Sequence, residues 1–308
     1  MAENEFRAGF VSFVGRPNVG KSTLTNALVG EKIAITSPKP QTTRRAIRGV
    51  LHRSDGQLII VDTPGIHRPR TLLGERLNAL VEATLGDVDV IGFCVPANEK
   101  LGPGDRFINE RLNDFPRAKK VAILTKVDQA GKSEIIEQLT LLGTLREWDA
   151  VVPISAVTDG ENGAAQLDIL SDVLLGLMPA SPPLYEADTV TDESEDERIA
   201  ELIREAALEG AREELPHSLA ATVDDREERE AEPDGTPGLL EIYASIYVER
   251  DSQKGIVIGR GGSRLREVGE RARREIEALI GRRVYLSLRV KVAKEWQRDP
   301  KALGRLGF

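Results

Sequence analysis

Hydrophobic residues up to Leu177 fall into short blocks whose spacing switches between strand-like and helical. Ala8–Val14 is an apolar, β-rich run that reads as a buried strand, and Thr23–Val29 sets Leu24, Ala27 and Leu28 at helical spacing. Ala46–Leu51 and Gln57–Val61 read as two strands joined around the turn sequence Ser54-Asp55-Gly56. Gly74–Thr84 carries Leu77, Leu80 and Val81 in a helical stripe that continues to Leu85. Val88–Val95 is almost continuously apolar, as expected of a strand covered on both faces. Asp105–Leu112, Ser133–Arg146 and Gly163–Leu177 then read as helices, with strands predicted over Lys120–Leu124 and Val151–Ile154. This alternation over Phe10–Leu177 predicts an α/β domain: a mainly parallel sheet with helices on both faces and ligands at the carboxyl ends of its strands.

The pattern changes after Leu177. Residues 180–197 combine Pro182-Pro183 with the acidic run Asp192-Glu193-Ser194-Glu195-Asp196-Glu197 and read as a linker. Glu197–Glu213 follows with Ile199, Leu202, Ile203, Ala206 and Ala207 as a helical stripe. Strands are expected at Ala220–Val223 and Leu239–Val248, with the acidic stretch Asp224–Thr236 between them as a mobile hairpin tip. Ser263–Ile280 reads as a helix and Val284–Val292 as a closing strand, which makes the second domain α+β. The predicted division is 1–179, a linker over 180–197, and 198–308.

Composition adds the compartment. The 308 residues are 40% hydrophobic and 30% charged, an ordinary soluble balance. Cys94 is the single cysteine, so no internal disulfide can form, which fits a reducing cytoplasm. Its apolar surroundings mark it as a core residue rather than a nucleophile. Met1–Glu5 is acidic and lacks an apolar segment, so no signal peptide is predicted. The apolar runs are too short to span a bilayer, which leaves only peripheral membrane contact. The net charge of -8 is unevenly spread. Glu186–Asp234 holds 19 acidic and 5 basic residues, whereas Lys254–Phe308 holds 15 basic and 6 acidic ones. An acidic block followed by a basic end suggests a solvated segment next to an anion-binding surface.

Candidate chemistry sits where the predicted strands end. Gly15-Arg16-Pro17-Asn18-Val19-Gly20-Lys21-Ser22, followed by Thr23, fits the phosphate-loop pattern between a strand and a helix. Such a loop turns its amides toward a phosphate, adds the positive end of the helix, brings Lys21 to the β- and γ-phosphates and offers Ser22 to magnesium. The polar stretch Ser37–Arg44 lies where nucleotide switches carry a threonine that senses the γ-phosphate through magnesium, and both Thr42 and Thr43 are candidates. Asp62-Thr63-Pro64-Gly65 ends a strand with a carboxylate for the metal and a glycine amide for the γ-phosphate. His67–Leu73 reads as a second, mobile switch, preceded by the aliphatic Ile66. Thr125-Lys126-Val127-Asp128 ends another strand, and the Asp128 carboxylate matches the two donors on guanine's edge. Ser155-Ala156 resembles the last guanine contact, where a backbone amide meets the base oxygen. In the second domain Gly259-Arg260-Gly261-Gly262, preceded by Ile258 and followed by Arg264 in an arginine-rich helix, matches the nucleic-acid loop of a KH domain.

Together these stretches resemble the Era family, bacterial GTPases with a C-terminal type II KH domain. The resemblance is carried by Gly15–Ser22, Pro40-Gln41-Thr42-Thr43-Arg44, Asp62–Gly65, Lys126–Asp128, Ser155-Ala156, Gly259–Gly262 and the terminal Trp296, Arg298-Asp299, Leu303 and Leu306-Gly307. It implies GTP and GDP with magnesium as cofactors, binding near the 3′ end of 16S ribosomal RNA, and a role in assembly of the 30S subunit. It also implies a cytoplasmic monomer with possible peripheral attachment to the inner membrane. Alignment of Thr-Arg favours Thr43 as the metal ligand, so Ser22, Thr43 and Asp62 form the expected metal set. Lys21, Thr43, Asn18 and Gly65 form the expected catalytic set. Asn18 resembles the phosphate-loop asparagine that holds potassium in related GTPases. Thr125 departs from the family's usual asparagine, which puts support of the phosphate loop in question. Two other classes fit parts of the chain. One is a non-catalytic RNA chaperone with structural nucleotide; the other is a GTPase of tRNA modification or protein targeting, against which the Gly-x-x-Gly unit argues.

Overall fold

A computed structural model describes residues 5–39, 42–65, 69, 71–157, 161–211, 215–229 and 238–308, in two compact units. The first comprises Met1–Thr36, Thr43–Pro69 and Gly74–Asp192. Its elements alternate as read from the sequence: β1 (Arg7–Val14), α1 (Lys21–Val29), β2 (Ile47–Arg53), β3 (Gly56–Asp62), α2 (Leu72–Asp87), β4 (Val90–Pro96), α3 (Pro103–Arg111), β5 (Lys119–Thr125), α4 (Lys132–Leu145), β6 (Ala150–Pro153) and α5 (Glu161–Leu177). The sheet order is β2-β3-β1-β4-β5-β6, parallel except for β2, which runs antiparallel to β3.

Strand alternation divides the apolar residues between two cores. Val90 and Cys94 of β4 face a cluster with Phe13, Leu24, Leu58, Leu170 and Leu174, so α1 and α5 cover that side. Ile91, Phe93 and Val95 face the opposite cluster with Val81, Leu85, Ile108 and Leu142 from α2, α3 and α4. Every residue of β3 and β4 is buried, as expected where helices cover both faces of a sheet. This core fixes the strand ends, and the loops that carry the chemistry start from them.

Residues 180–192, expected to be part of a linker, are held along the first unit. Buried Gln57 accepts from the Leu184 and Tyr185 amides at 2.8 and 3.1 Å and donates to the Tyr185 carbonyl at 2.7 Å. Val50 N donates to Val190 O at 2.9 Å, and Arg48 pairs with Asp192 at 2.9 Å. β2 is an edge strand whose outer backbone groups need partners, and this segment supplies them.

The second unit comprises Ser37–Thr42, Arg70–Leu73 and Glu193–Phe308. It contains α6 (Glu195–Leu208), α7 (Leu215–Ser218), β7 (Ala220–Glu228), β8 (Leu240–Val248), α8 (Asp251–Ile258), α9 (Ser263–Ile280), β9 (Val284–Val292) and α10 (Pro300–Arg305). β8 is central, antiparallel to β7 and parallel to β9. Ser194 starts α6 with a capping box: its Oγ accepts from Glu197 N at 3.3 Å while Glu197 Oε2 accepts from Ser194 N at 3.1 Å. Trp296 is fully buried, donates Nε1–H to Ser218 O at 3.0 Å and stacks on Phe308. The acidic stretch differs from its expectation as a hairpin tip, because β7 continues through it to Glu228. The ladder to β8 carries it, with Asp225–Glu228 opposite Tyr243–Leu240, and two basic residues reach its side chains: Lys291 of β9 pairs with Asp224 at 3.1 Å and Arg282 with Glu228 at 2.6 Å. Residues 230–236 of that stretch lie outside the described residues.

Candidate functional site

The phosphate loop leaves β1 at Gly15, where the backbone passes close beneath β4. A Cβ there would stand 2.5 Å from the Cys94 carbonyl oxygen, so only glycine fits. Asn18 takes a left-handed φ of 65°, which asparagine tolerates better than most residues, and Gly20 begins α1 at φ 99°. Lys21 folds back over the loop, donating from Nζ to Gly15 O at 3.0 Å and Arg16 O at 2.9 Å. Gly65 approaches the same ammonium: its Cβ position is 4.0 Å from Lys21 Nζ and 3.9 Å from Gly15 O.

Three oxygens converge below Lys21. Ser22 Oγ donates to Asp62 Oδ2 at 2.8 Å, Thr43 Oγ1 donates to the same oxygen at 3.0 Å, and the two hydroxyls are 3.2 Å apart. Asp62 is fully buried and its Oδ1 has no hydrogen-bond partner among the described residues. Burial pushes the Asp62 carboxyl above its ordinary range, opposed by Ser22, Lys21 and Thr43, and pushes the Lys21 ammonium down, opposed mainly by Asp62. A desolvated ammonium beside an unsatisfied carboxylate oxygen suits a ligand that brings phosphate to one and a cation to the other. The donor set of carboxylate and hydroxyls fits a hard divalent cation such as magnesium, which completes its octahedron with phosphates and water. Thr42 is placed differently: its hydroxyl donates to Lys39 O at 2.7 Å. The neighbouring Cys94 thiol is pushed up by burial to about 12 and stays protonated, as expected of a core residue.

The base-reading stretches also meet. Asp128 is exposed and accepts from Ser155 Oγ at 2.7 Å through Oδ1. Lys126, at φ 57°, donates Nζ–H to Asn18 O at 2.7 Å. Thr125, whose side chain stood in question, donates its buried hydroxyl to Val19 O at 2.6 Å, with Val95 O at 3.3 Å. One hydroxyl proton therefore ties β5 to the phosphate loop.

One participant, Gln166, is absent from the motif reading, and another, Arg16, was read only as part of the phosphate loop without its partners. Gln166 of α5 accepts from Ser155 N at 2.7 Å and shapes the Ser155-Ala156 turn. Arg16 donates from Nε to the buried Asp105 at 2.8 Å and pairs with Glu99 at 3.2 Å, anchoring the phosphate loop to the start of α3. The only sequence signal was an arginine inside the loop. The second switch could not be followed whole, since residues 66–68 and 70 lie outside the described residues.

In the second unit, Gly259–Gly262 turns the chain between α8 and α9. The helix over Asp251–Ile258 had not been read from the sequence, yet it delivers half-buried Ile258 to the loop. Gly259, Gly261 and Gly262 all have positive φ, and Arg260 is exposed. Arg264, expected at the nucleic-acid surface, instead spends its guanidinium on the end of α6. It donates to Ala207 O at 3.3 Å, Glu209 O at 3.2 Å and Gly210 O at 3.4 Å.

Residues 10–126 match the family model described as 50S ribosome-binding GTPase, and residues 214–297 match the KH domain model. GTPase Era of Leifsonia xyli subsp. xyli is 70% identical over 305 residues, covering 99% of each chain. GTPase Era of Streptomyces coelicolor is 57% identical over 312 residues, covering 100% of this chain and 96% of its own. Two solved structures align with TM-scores of 0.90 over 98% of this chain and 99% of theirs. One, 36% identical, is Era in complex with MgGDPNP and nucleotides 1506–1542 of 16S ribosomal RNA. The other, 35% identical, is an Aquifex aeolicus Era variant bound to GDP.AlF4−.

Proposed function

The chain belongs to the Era family of GTPases, and from that premise we propose a GTP-hydrolysing switch that binds 16S ribosomal RNA and assists assembly of the 30S subunit. The carrying observation is the convergence of Lys21, Ser22, Thr43 and Asp62 at one end of a chain whose other end holds the Gly259–Gly262 turn. Gly15–Thr23 wraps the phosphates, with Lys21 on the β- and γ-phosphates. Ser22, Thr43 and Asp62 hold magnesium, which neutralises charge on the phosphates. Gly65 offers its amide to the γ-phosphate, as part of the turn with Thr63 and Pro64. Asp128 reads guanine with Lys126 flanking the base. Because Gln166 engages Ser155 N, the base oxygen falls to the amide of Ala156. Ile258, Gly259, Arg260, Gly261 and Gly262 meet the RNA, with Arg264 behind them.

The protein works in the cytoplasm as a monomer, with peripheral contact to the inner membrane. The relative bound to a 16S fragment supports the small subunit as the target, whereas the matched GTPase model carries a 50S description. Sedimentation separates the two. Loaded with a non-hydrolysable GTP analogue, the protein should travel with purified 30S subunits and not with 50S. Travel with 50S alone, or with neither, sinks the assignment.

Hydrolysis should be slow unaided. Ile66, outside the described residues, stands where switch GTPases place a water-orienting glutamine, and an aliphatic chain cannot orient water. We propose that potassium at Asn18 supplies part of the missing charge. Turnover is then faster in potassium chloride than in sodium chloride at equal ionic strength, and Asn18→Gly removes the difference. Glycine is the clean deletion because it keeps the left-handed backbone at φ 65°. Equal rates in the two salts would eliminate the cation.

A further inference from the structure

Arg16 brings a positive charge into the loop that wraps phosphates, yet its guanidinium is turned elsewhere. Its Nε donates to Asp105 Oδ1 at 2.8 Å and its Nη2 to Glu99 Oε2 at 3.2 Å. The two arms are unequal. The Glu99 side chain is 47% exposed, where an ion pair is screened and contributes little, whereas that of Asp105 is fully buried. Both Asp105 oxygens are engaged, because Oδ2 accepts from Gly102 N at 2.8 Å where α3 begins. The arginine stem also fits closely: a Cβ on Gly104 would stand 3.0 Å from Arg16 Cδ and 3.3 Å from its Cγ. A guanidinium held this way fixes the Arg16 main chain, whose carbonyl oxygen accepts from Lys21 Nζ at 2.9 Å.

The segment that takes hold of Arg16 also holds the base-reading stretch. Residues 97–105 run from the end of β4 into α3. At their start, Ala97 N donates to Thr125 O at 2.8 Å, and Asn98 Nδ2 donates at 3.0 Å to Oε1 of Gln129, the residue after Asp128. Glu99 O accepts from Gln138 Nε2 of α4 at 3.1 Å. One short segment therefore grips the phosphate loop at one end and the Asp128 loop at the other. A nucleotide spans those two loops, with phosphates in one and base in the other. Loops kept at a fixed separation leave a nucleotide that has lost one set of contacts poised to remake it, as in any two-point attachment.

We propose that Arg16 is a positioning residue for the bound nucleotide: anchored on Asp105, it locks the phosphate loop to residues 97–105 and so sets how slowly GDP and GTP leave. The lock rests on the placement of phosphates at Gly15–Thr23 and of the base at Asp128 proposed above. It acts on escape rather than on encounter, because the guanidinium is turned to the carboxylates instead of being offered to an arriving phosphate.

The test follows release of N-methylanthraniloyl GDP from the full chain, loaded with magnesium and chased with excess unlabelled GDP. The variant is Arg16→Met with Asp105→Asn. Methionine keeps an unbranched stem beside Gly104, and asparagine leaves no charge buried alone while its carbonyl can still accept from Gly102 N. Expected is release faster by about tenfold, the scale of one charge-assisted hydrogen bond at the lower end of its range, with association changed by less than about twofold. Arg16→Lys with Asp105 intact keeps a charge on a stem of similar length and should recover part of the slow release. A role limited to filling space beside Gly104 predicts equal rates for methionine and lysine. A loss of folded protein lowers the amplitude of release but leaves its rate constant unmoved, since only bound molecules are followed. Release at the unmodified rate, with any loss confined to association, overturns the proposal, and so do equal, fast rates from the methionine and lysine variants. Lys21→Ala separates the underlying reading: GDP held as tightly by that variant overturns the phosphate site itself. Amide exchange on the unmodified protein needs no variant: GDP should slow exchange at the Ala97 and Gly102 amides, and unchanged exchange there refutes the lock.

Discussion

Asp128→Asn will trade GTP for xanthosine triphosphate. Guanine presents N1–H and an exocyclic amine, and both can donate to the Asp128 carboxylate. Ser155 Oγ donates to Oδ1 at 2.7 Å, which restricts the carboxylate's rotation. Asparagine keeps one acceptor but turns an NH2 toward the guanine amine, donor against donor. Hydrogen bonds to a charged partner contribute about 1.5–3 kcal/mol each, so GTP affinity should fall on the order of 10²-fold or more. Xanthine carries an oxygen where guanine has the amine, so the same amide gains a partner and affinity for xanthosine triphosphate should rise. Competition between the two nucleotides reads the outcome, and retained wild-type preference for GTP would refute Asp128 as the reader.

That Ser22 and Thr43 meet Asp62 and that Ser155 meets Asp128 was legible because the motifs that carry them are local. A phosphate loop needs glycines at fixed offsets, and a base-reading Asp must sit just past a strand. Such constraints leave marks within a few residues of one another. Strand and helix order was equally plain, because cores on both sheet faces impose spacing that the sequence displays. The anchors were hidden. Arg16 finds Asp105 across 89 residues and Gln57 finds Tyr185 across 128, and pairs this far apart have no period to betray them. Gln57 inside an apolar strand could have raised the question of what it holds, since a buried amide requires partners.

The second unit was less transparent for a different reason. α8 reads poorly because Asp251–Ile258 ends in Gly255-Ile256-Val257-Ile258, a glycine followed by β-branched residues whose local preference opposes a helix. Tertiary packing decides instead: Val257 is buried and Gln253 donates to Ser218 Oγ at 3.0 Å. Composition misled at Asp224–Glu228 as well, where five exposed residues form strand because they continue the ladder with β8, with Lys291 and Arg282 pairing to Asp224 and Glu228. The polar stretch alone left Thr42 and Thr43 both open, and only the family resemblance favoured Thr43. Adjacent hydroxyls differ only in which way the backbone turns them, and that is decided by Asp62 for one and Lys39 for the other.

Gly262→Asp should abolish RNA binding while sparing GTP. Gly262 starts α9 at φ 78°, and a Cβ there meets nothing within 4 Å among the described residues, so the new side chain projects away from them, two residues from exposed Arg260. The substitution therefore acts through backbone strain and charge rather than through a clash inside the protein. Strain is limited, because aspartate is among the few residues that visit the left-handed region, and a carboxylate at a helix start is electrostatically favourable. Charge is decisive. A carboxylate held near 4 Å from a phosphate is repelled by about 4 kcal/mol at an effective dielectric of about 20. At about 1.4 kcal/mol per decade, RNA affinity should fall on the order of 10²-fold or more. Gly262→Asn isolates the cause, since it keeps shape and strain without charge and should lose much less. Arg260→Ala supplies the scale: for single-stranded RNA each neutralised phosphate contributes about 0.7 to the slope of affinity on salt, so the slope should flatten by about that amount. If Asp and Asn at position 262 weaken RNA equally, the loop does not meet the phosphate chain; if GTP affinity falls along with RNA affinity, the variant has damaged more than this loop.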